Sequence, residues 1–257
     1  MPEDALKESK VAAAAAANVV STCDFFSGRW VFDNVSNPLY EEAHCSFMKP
    51  DYACQKYGRK DVRYQFWKWK PHDCQLPRFN GKKLLEKIRG KRVVFVGDSL
   101  NRNQWTSLLC LIESSLHHSS NKSVVRNQNL FVFNATEYNA TIEFYWSPLL
   151  VESNTDDPYN HSIRNEIILR ISSIEKHARQ WTHADILIFD TFMWWVKLNM
   201  TLLWGSFGSP DAIYKVVEKS PRLYEMCLNT WSDWLEININ RTKTKLFFMS
   251  LSPYHYK

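Results

Sequence analysis

The sequence predicts an α/β fold: three layers, with a parallel sheet carrying helices on both faces, preceded by a small cysteine-stapled lobe. Three observations predict it. Short apolar runs ending in polar residues (Val93–Val96, Asp185–Asp190 and Lys245–Ser252) alternate with segments of helical periodicity. Four of the six cysteines (Cys23, Cys45, Cys54, Cys74) fall in the first 75 residues. The 257 residues, 45% hydrophobic and 23% charged, suffice for one core, or one core with an appended lobe.

The elements follow in order. Residues 1–21 read as a disordered or helical tail; their apolar stretch, Val11–Val20, falls short of the roughly 20 residues a membrane span needs. Residues 22–80 form the lobe, dense in aromatics and prolines and without long regular elements. From Gly81 the pattern changes, and 81–257 read as the α/β domain. Lys82–Arg89 suits a short helix closed by Gly90, and Val93–Val96 a buried strand ended by Gly97. Trp105, Leu108, Leu109, Leu111 and Ile112 give the next segment a helical apolar face. Asn129–Ser147 alternates as a strand pair would, Ile167–Ile171 suits a strand, and Glu175–Trp181 a helical turn. Asp185–Asp190 is a second buried strand, Leu223 to Ile237 a long helix, and Lys245–Ser252 a third buried strand.

Composition narrows the function. A net charge of +5 without long basic runs argues against nucleic acid. Aromatic residues are 14% of the chain, enough for a core and for exposed stacking platforms. Asn-x-Ser/Thr sequons occur at Asn34, Asn121, Asn134, Asn139, Asn160, Asn199 and Asn240; with 18 asparagines, chance gives about two or three. That excess favours the secretory pathway. The mixed charges before Val11 make a poor signal peptide, so the targeting segment is expected to be missing from the chain. The cysteines lack zinc spacing, so disulfides explain the cluster better than metal, and no metal site is expected. Six cysteines allow fifteen full pairings.

Three predicted strand ends carry polar residues: Asp98-Ser99, Asp190-Thr191 and the run from Ser250 to His255. In such folds the carboxyl ends of the strands form the working edge. Ser99, at a sharp strand-to-helix turn, could project its hydroxyl into a crevice where backbone N–H groups face an oxyanion. Against this, Asp and Ser are also ordinary helix caps.

The string Gly97-Asp98-Ser99-Leu100-Asn101-Arg102-Asn103-Gln104-Trp105 resembles the GDS block of the plant trichome birefringence-like family, polysaccharide O-acetyltransferases of the GDSL/SGNH-like type. Cys23-Asp24-Phe25-Phe26-Ser27-Gly28-Arg29-Trp30-Val31 resembles that family's opening, and Phe66–Pro71 with Cys74–Phe79 its next block. Trp194-Trp195, and Ser252-Pro253 with His255, match later blocks, so the likeness covers residues 22–256 in order. It implies an SGNH-like parallel sheet in which Ser99 is the nucleophile, Asp98 supports the turn and the oxyanion, and Asn103 is a candidate oxyanion donor. Arg102, Trp194, Trp195 and His255 are the implied substrate-binding residues, with the core as the alternative for the tryptophans and a carboxylate partner as the alternative for Arg102. The family's Asp and His stand in a DxxH motif near the carboxyl end; the chain has none, which reads as a fragment or shortened product with little activity alone. His255 is the candidate substitute base. Asp190 stands where the family has Asn, and an ionised Asp cannot donate a hydrogen bond.

The likeness also implies the pairs Cys23–Cys74 and Cys45–Cys110, with Cys54 unpaired; Cys227, on the long helix's apolar stripe, reads as a core thiol. It implies a Golgi-lumenal protein with a membrane anchor in its full-length form, an acetyl donor with no bound cofactor, and xylan or a related wall polysaccharide as partner. A non-catalytic polysaccharide-binding protein and an acetyl esterase are the competing readings.

Overall fold

The computed structural model describes residues 23–116, 124–160, 166–196, 199–217 and 220–250. The described residues divide into two compact units, one within 23–43 and 53–79 and the other within 44–52 and 80–250.

In the smaller unit, β1 (Gly28–Phe32) pairs antiparallel with β2 (Trp67–Pro71), and Trp30 meets Trp69 edge-on at 5.7 Å. Gly28 is required there, because a Cβ would lie 2.6 Å from the Lys70 carbonyl oxygen. The Cys23–Cys74 disulfide closes the unit. The Asp33 carboxylate accepts from Lys68 and Ser36, Lys68 first among the causes that hold it well below the usual carboxylate range. A cleft of about 640 Å³ lies between Phe32, Trp69, Lys68 and Arg78.

The larger unit runs α1 (Gly81–Lys87), β3 (Arg92–Gly97), α2 (Ser99–Ser115), β4 (Val124–Asn127), β5 (Leu130–Ala135), β6 (Ala140–Trp146), β7 (Glu152–Ser153), β8 (Ile167–Arg170), α3 (Glu175–Ala178), β9 (Ile186–Asp190), β10 (Met200–Trp204), β11 (Ile213–Val217), α4 (Ser220–Asn238) and β12 (Lys245–Met249). Its six-stranded sheet has the order β12-β9-β3-β6-β5-β4. The first four strands are parallel, and β5 and β4 join antiparallel through short connections. The strands Val93–Val96, Asp185–Asp190 and Lys245 onward are therefore neighbours in one parallel sheet, as the sequence predicts, but Lys245–Met249 is its edge strand and leaves Phe247, Phe248 and Met249 exposed, not buried as expected.

Helices cover both faces. On one, Val94, Val96, Leu187 and Phe189 pack against Leu223, Cys227, Trp234 and Leu235 of α4. On the other, the buried face of α2 carries Trp105, whose indole N–H donates to the Ile142 carbonyl at 3.1 Å. Burial pushes the Cys227 thiol pKa up, and the thiol donates to the Leu149 carbonyl.

A second sheet, β11-β10-β8-β7, was not anticipated. Its strand β11 exposes Ile213, Tyr214 and Val216, so it lacks the half-buried alternation that marks a strand in sequence. The implied pair Cys45–Cys110 is present and ties residues 44–52 to α2, while Cys54 and Cys227 are free. Asn34, Asn134, Asn139, Asn160, Asn199 and Asn240 are all exposed, and Asn121 lies outside the described residues. Among the described residues no helix is long and apolar enough to cross a membrane.

Candidate active site

The site begins with the turn after β3. Burial of Val93–Val96 fixes the strand, and Asp98 then caps α2: its backbone is extended, and its Oδ1 accepts the Leu100 N–H at 2.8 Å. Because α2 turns Asn101, Trp105 and Leu109 inward, Ser99 is left exposed, with Asn103 exposed one turn further along the same face. The buried cap and the exposed serine are thus consequences of one helical register.

Gly97 lets the strand tips close up. A Cβ on it would lie 2.1 Å from the Asp190 carbonyl oxygen and 3.1 Å from the Asn101 Cβ. In register, Gly97 stands between Trp146 of β6 and Asp190 of β9, and Asp190 in turn pairs with Met249. Ser147 continues the β6 tip, its N–H donating to the Gly97 carbonyl at 3.0 Å. The tips carrying Asp98-Ser99 and Asp190-Thr191 therefore lie side by side. The third predicted tip leaves Met249 next to Asp190, and His255 lies outside the described residues.

Three buried polar atoms at these tips have no hydrogen-bond partner: Asp98 Oδ2, Asn101 Oδ1 and Ser147 Oγ. Buried polar atoms are nearly always paired, so three unpaired ones gathered at the strand tips are unusual. Burial raises the pKa of Asp98 against the N–H groups of Leu100 and Asn101 that lower it. Burial, and then the charge of Asp98, push Asp190 up to about 7. A carboxyl so placed is only partly ionised at neutral pH, unlike an ordinary aspartate.

Arg102 is held from three sides. Its Nε donates to the Tyr52 hydroxyl at 2.9 Å, its guanidinium lies 3.7 Å from Asp51, and it stands 5.9 Å from the centre of the Trp146 ring. The Tyr52 hydroxyl itself donates to the Ser99 carbonyl at 3.3 Å. Burial, ahead of the lowering effect of Arg102, raises the Tyr52 pKa. Tyr52 and Asp51 belong to the segment that Cys45–Cys110 and the Ser46–Glu113 bonds fasten to α2. Sequence reasoning missed Tyr52, Asp51 and Ser147; the implied Cys45–Cys110 pair was the available pointer to the first two.

The two tryptophans part company. Trp195 is 2% exposed, and its indole N–H donates to the Thr191 hydroxyl at 3.0 Å. Thr191 in turn donates to the Pro148 carbonyl and accepts Tyr224 at its own carbonyl, so this pair belongs to the packed interior. Trp194 is half-buried, edge-on to Trp146 at 6.0 Å.

Residues 76–257 match the model of a GDSL/SGNH-like acyl-esterase family found in Pmr5 and Cas1p, and residues 21–75 match the PMR5 N-terminal domain. The chain is 56% identical over 234 residues to "Protein trichome birefringence-like 34" of Arabidopsis thaliana, covering 91% of this chain and 57% of that protein. It is 49% identical over 251 residues to "Xylan O-acetyltransferase 14" of Oryza sativa subsp. japonica, covering 91% of this chain and 52% of that protein. The chain thus spans about half the length of these relatives. A serine at a buried Asp cap, on the carboxyl edge of a parallel sheet, agrees with that match: the chain belongs to the GDSL/SGNH-like acyl-esterase family found in Pmr5 and Cas1p.

Proposed function

We propose that the chain is the Ser-bearing part of a polysaccharide O-acetyltransferase acting on xylan hydroxyls. The observation that carries the reading is the exposed Ser99 beside the buried, unpartnered atoms of Asp98, Asn101 and Ser147. Relatives named xylan O-acetyltransferases, 49% identical to it, supply the substrate class. Ser99 Oγ attacks the acetyl carbonyl of a donor while its proton passes to a base. The tetrahedral oxyanion collapses with loss of the donor group, leaving an acetyl ester on Ser99. A xylan hydroxyl then attacks that ester, its proton leaves, and Ser99 is regenerated. Asn103, one turn along α2, offers an amide donor, and Trp194 an aromatic edge for the sugar.

The DxxH motif that would provide base and orienting carboxylate is absent from these 257 residues. The chain alone therefore transfers acetyl slowly, since loss of a triad member costs on the order of 10⁴ to 10⁶ in rate. Labelled acetyl transfer to xylo-oligosaccharides tests both parts. Transfer dependent on Ser99 but far slower than in full-length relatives supports the reading, and release of free acetate in place of sugar ester makes the protein an esterase. The exposed sequons and two disulfides support a Golgi-lumenal setting. A second reading, polysaccharide binding without turnover, is favoured by the cleft between Phe32, Trp69, Lys68 and Arg78; retained xylan binding by a Ser99→Ala chain, with no transfer by the parent, selects it.

A further inference from the structure

The tips of β3 and β9 bring two buried carboxyl groups together. Gly97 and Asp190 are register partners in a parallel pair, and residues opposite one another in such a pair share a face of the sheet. Val94 and Val96 of β3, with Leu187 and Phe189 of β9, face α4, so Asp190 falls on the opposite face with Gly97 and the start of α2. There Gly97 contributes no side chain, and Asp98 follows it directly. Asp98 is 0% exposed and Asp190 8%. Two like charges buried side by side oppose each other's ionisation.

The location of the proton follows from the neighbours. Asp98 Oδ1 accepts the Leu100 N–H, and Asn101 N–H adds to it, at the positive end of a 17-residue helix. These favour charge on Asp98. Among the described residues, the titratable groups set against Asp190 are Asp98 and, from α4, Tyr224, whose hydroxyl is bonded to the Thr191 carbonyl; neither supplies a cation. From β12 the neighbour is Met249.

We infer that Asp98 and Asp190 hold one proton between them, carried by Asp190, and that the Asp190 O–H donates to the carbonyl oxygen of the acyl group attacked by Ser99. The inference rests on the acyl-transfer reading of Ser99. It adds a hydrogen-bond donor that is present only while the pair is protonated. No bond to Asp190 is made or broken: its proton stays on the carboxyl while the neighbouring oxygen gains charge, as in other sites where a carboxylic acid is kept neutral in order to donate.

Two measurements on the full 257-residue chain test it. Carbon-13 NMR of aspartate-labelled protein should show one carboxyl titrating near neutral pH, absent from Asp190→Asn and moved downward in Asp98→Asn, where Asn preserves the helix cap. Phosphonylation of Ser99 by a fluorophosphonate probe should be compared across pH 5 to 9 in the parent and Asp190→Asn. An amide donates at every pH, so the parent-to-variant rate ratio should fall at least tenfold as pH rises through neutrality, the loss of one oxyanion donor being worth about 10² to 10³. A spectrum with every aspartate titrating in the ordinary acid range overturns the inference whether or not Ser99 reacts. A neutral titration with a pH-independent ratio overturns the donor role. A Ser99 that stays unlabelled at every pH even with imidazole added as an external base overturns the acyl-transfer reading and the donor role together, while NMR still decides the shared proton.

Discussion

The two edges of the six-stranded sheet are built on opposite terms. At the amino edge the charges are matched: Arg92 makes two bonds to the Glu143 carboxylate at 2.8 and 2.7 Å, and the Thr141 hydroxyl adds a third at 2.8 Å. The Arg92 N–H donates to the Asp185 side chain, and the Lys245 N–H to the Asp185 carbonyl, so four strands, β3, β6, β9 and β12, start from one hydrogen-bonded knot. At the carboxyl edge, 0% exposed Asp98, Asn101 and Ser147 each leave an atom unpaired, and two carboxyl groups crowd each other. One sheet thus pairs its charges where it is only held together and leaves polar atoms unpaired where a reacting oxygen would enter. Local rules tend to be broken at working sites and kept elsewhere.

Five variants test that contrast. The largest effect is expected from Ser99→Ala, which should abolish whatever fluorophosphonate labelling the parent chain shows, with thermal stability unchanged. Next is Asp190→Asn. Its folded pKa is raised to about 7, so between about pH 4 and 7 the folded chain holds a proton that the unfolded chain has released. Stability of the parent therefore falls across that window and levels above it, by up to about 4 kcal/mol, whereas Asp190→Asn should show no such fall in urea melts taken at pH 4 and pH 8. Glu143→Ala should cost about 3 kcal/mol in the same melts by stranding Arg92, while Arg92→Met with Glu143→Leu should come close to the parent. A comparably large loss in that double variant would show that the amino edge depends on its charges as such. The smallest effect is expected from Trp195→Phe, about 1 kcal/mol for the lost bond to Thr191, with xylo-oligosaccharide binding unchanged.

Much of this architecture was legible because it is local. Val93–Val96 with its terminal glycine, the Asp98 cap and the apolar stripe of α2 are written within 20 residues, and they place Ser99 without further information. What was not legible depends on distant residues. Tyr52 reaches the Ser99 carbonyl from 47 positions away, through a segment whose attachment the disulfide decides. Ser147 follows a run of buried aromatics with nothing in its neighbours to mark it as polar machinery. The upward push on the Asp190 pKa comes first from burial and then from Asp98 across the β3–β9 register, neither of which the residues next to it in sequence reveal. Trp194 and Trp195 are adjacent in sequence, yet one is half-buried and the other packed into the interior.

The Cys45–Cys110 bond joins the segment bearing Tyr52 to the helix that begins at Ser99. Reductants such as dithiothreitol, added to protect the free thiols of Cys54 and Cys227, would cut the staple that seats Tyr52 against Arg102 and the Ser99 backbone. A preparation kept oxidised and one stored with reductant are then two different reagents, and rates measured on them are not interchangeable.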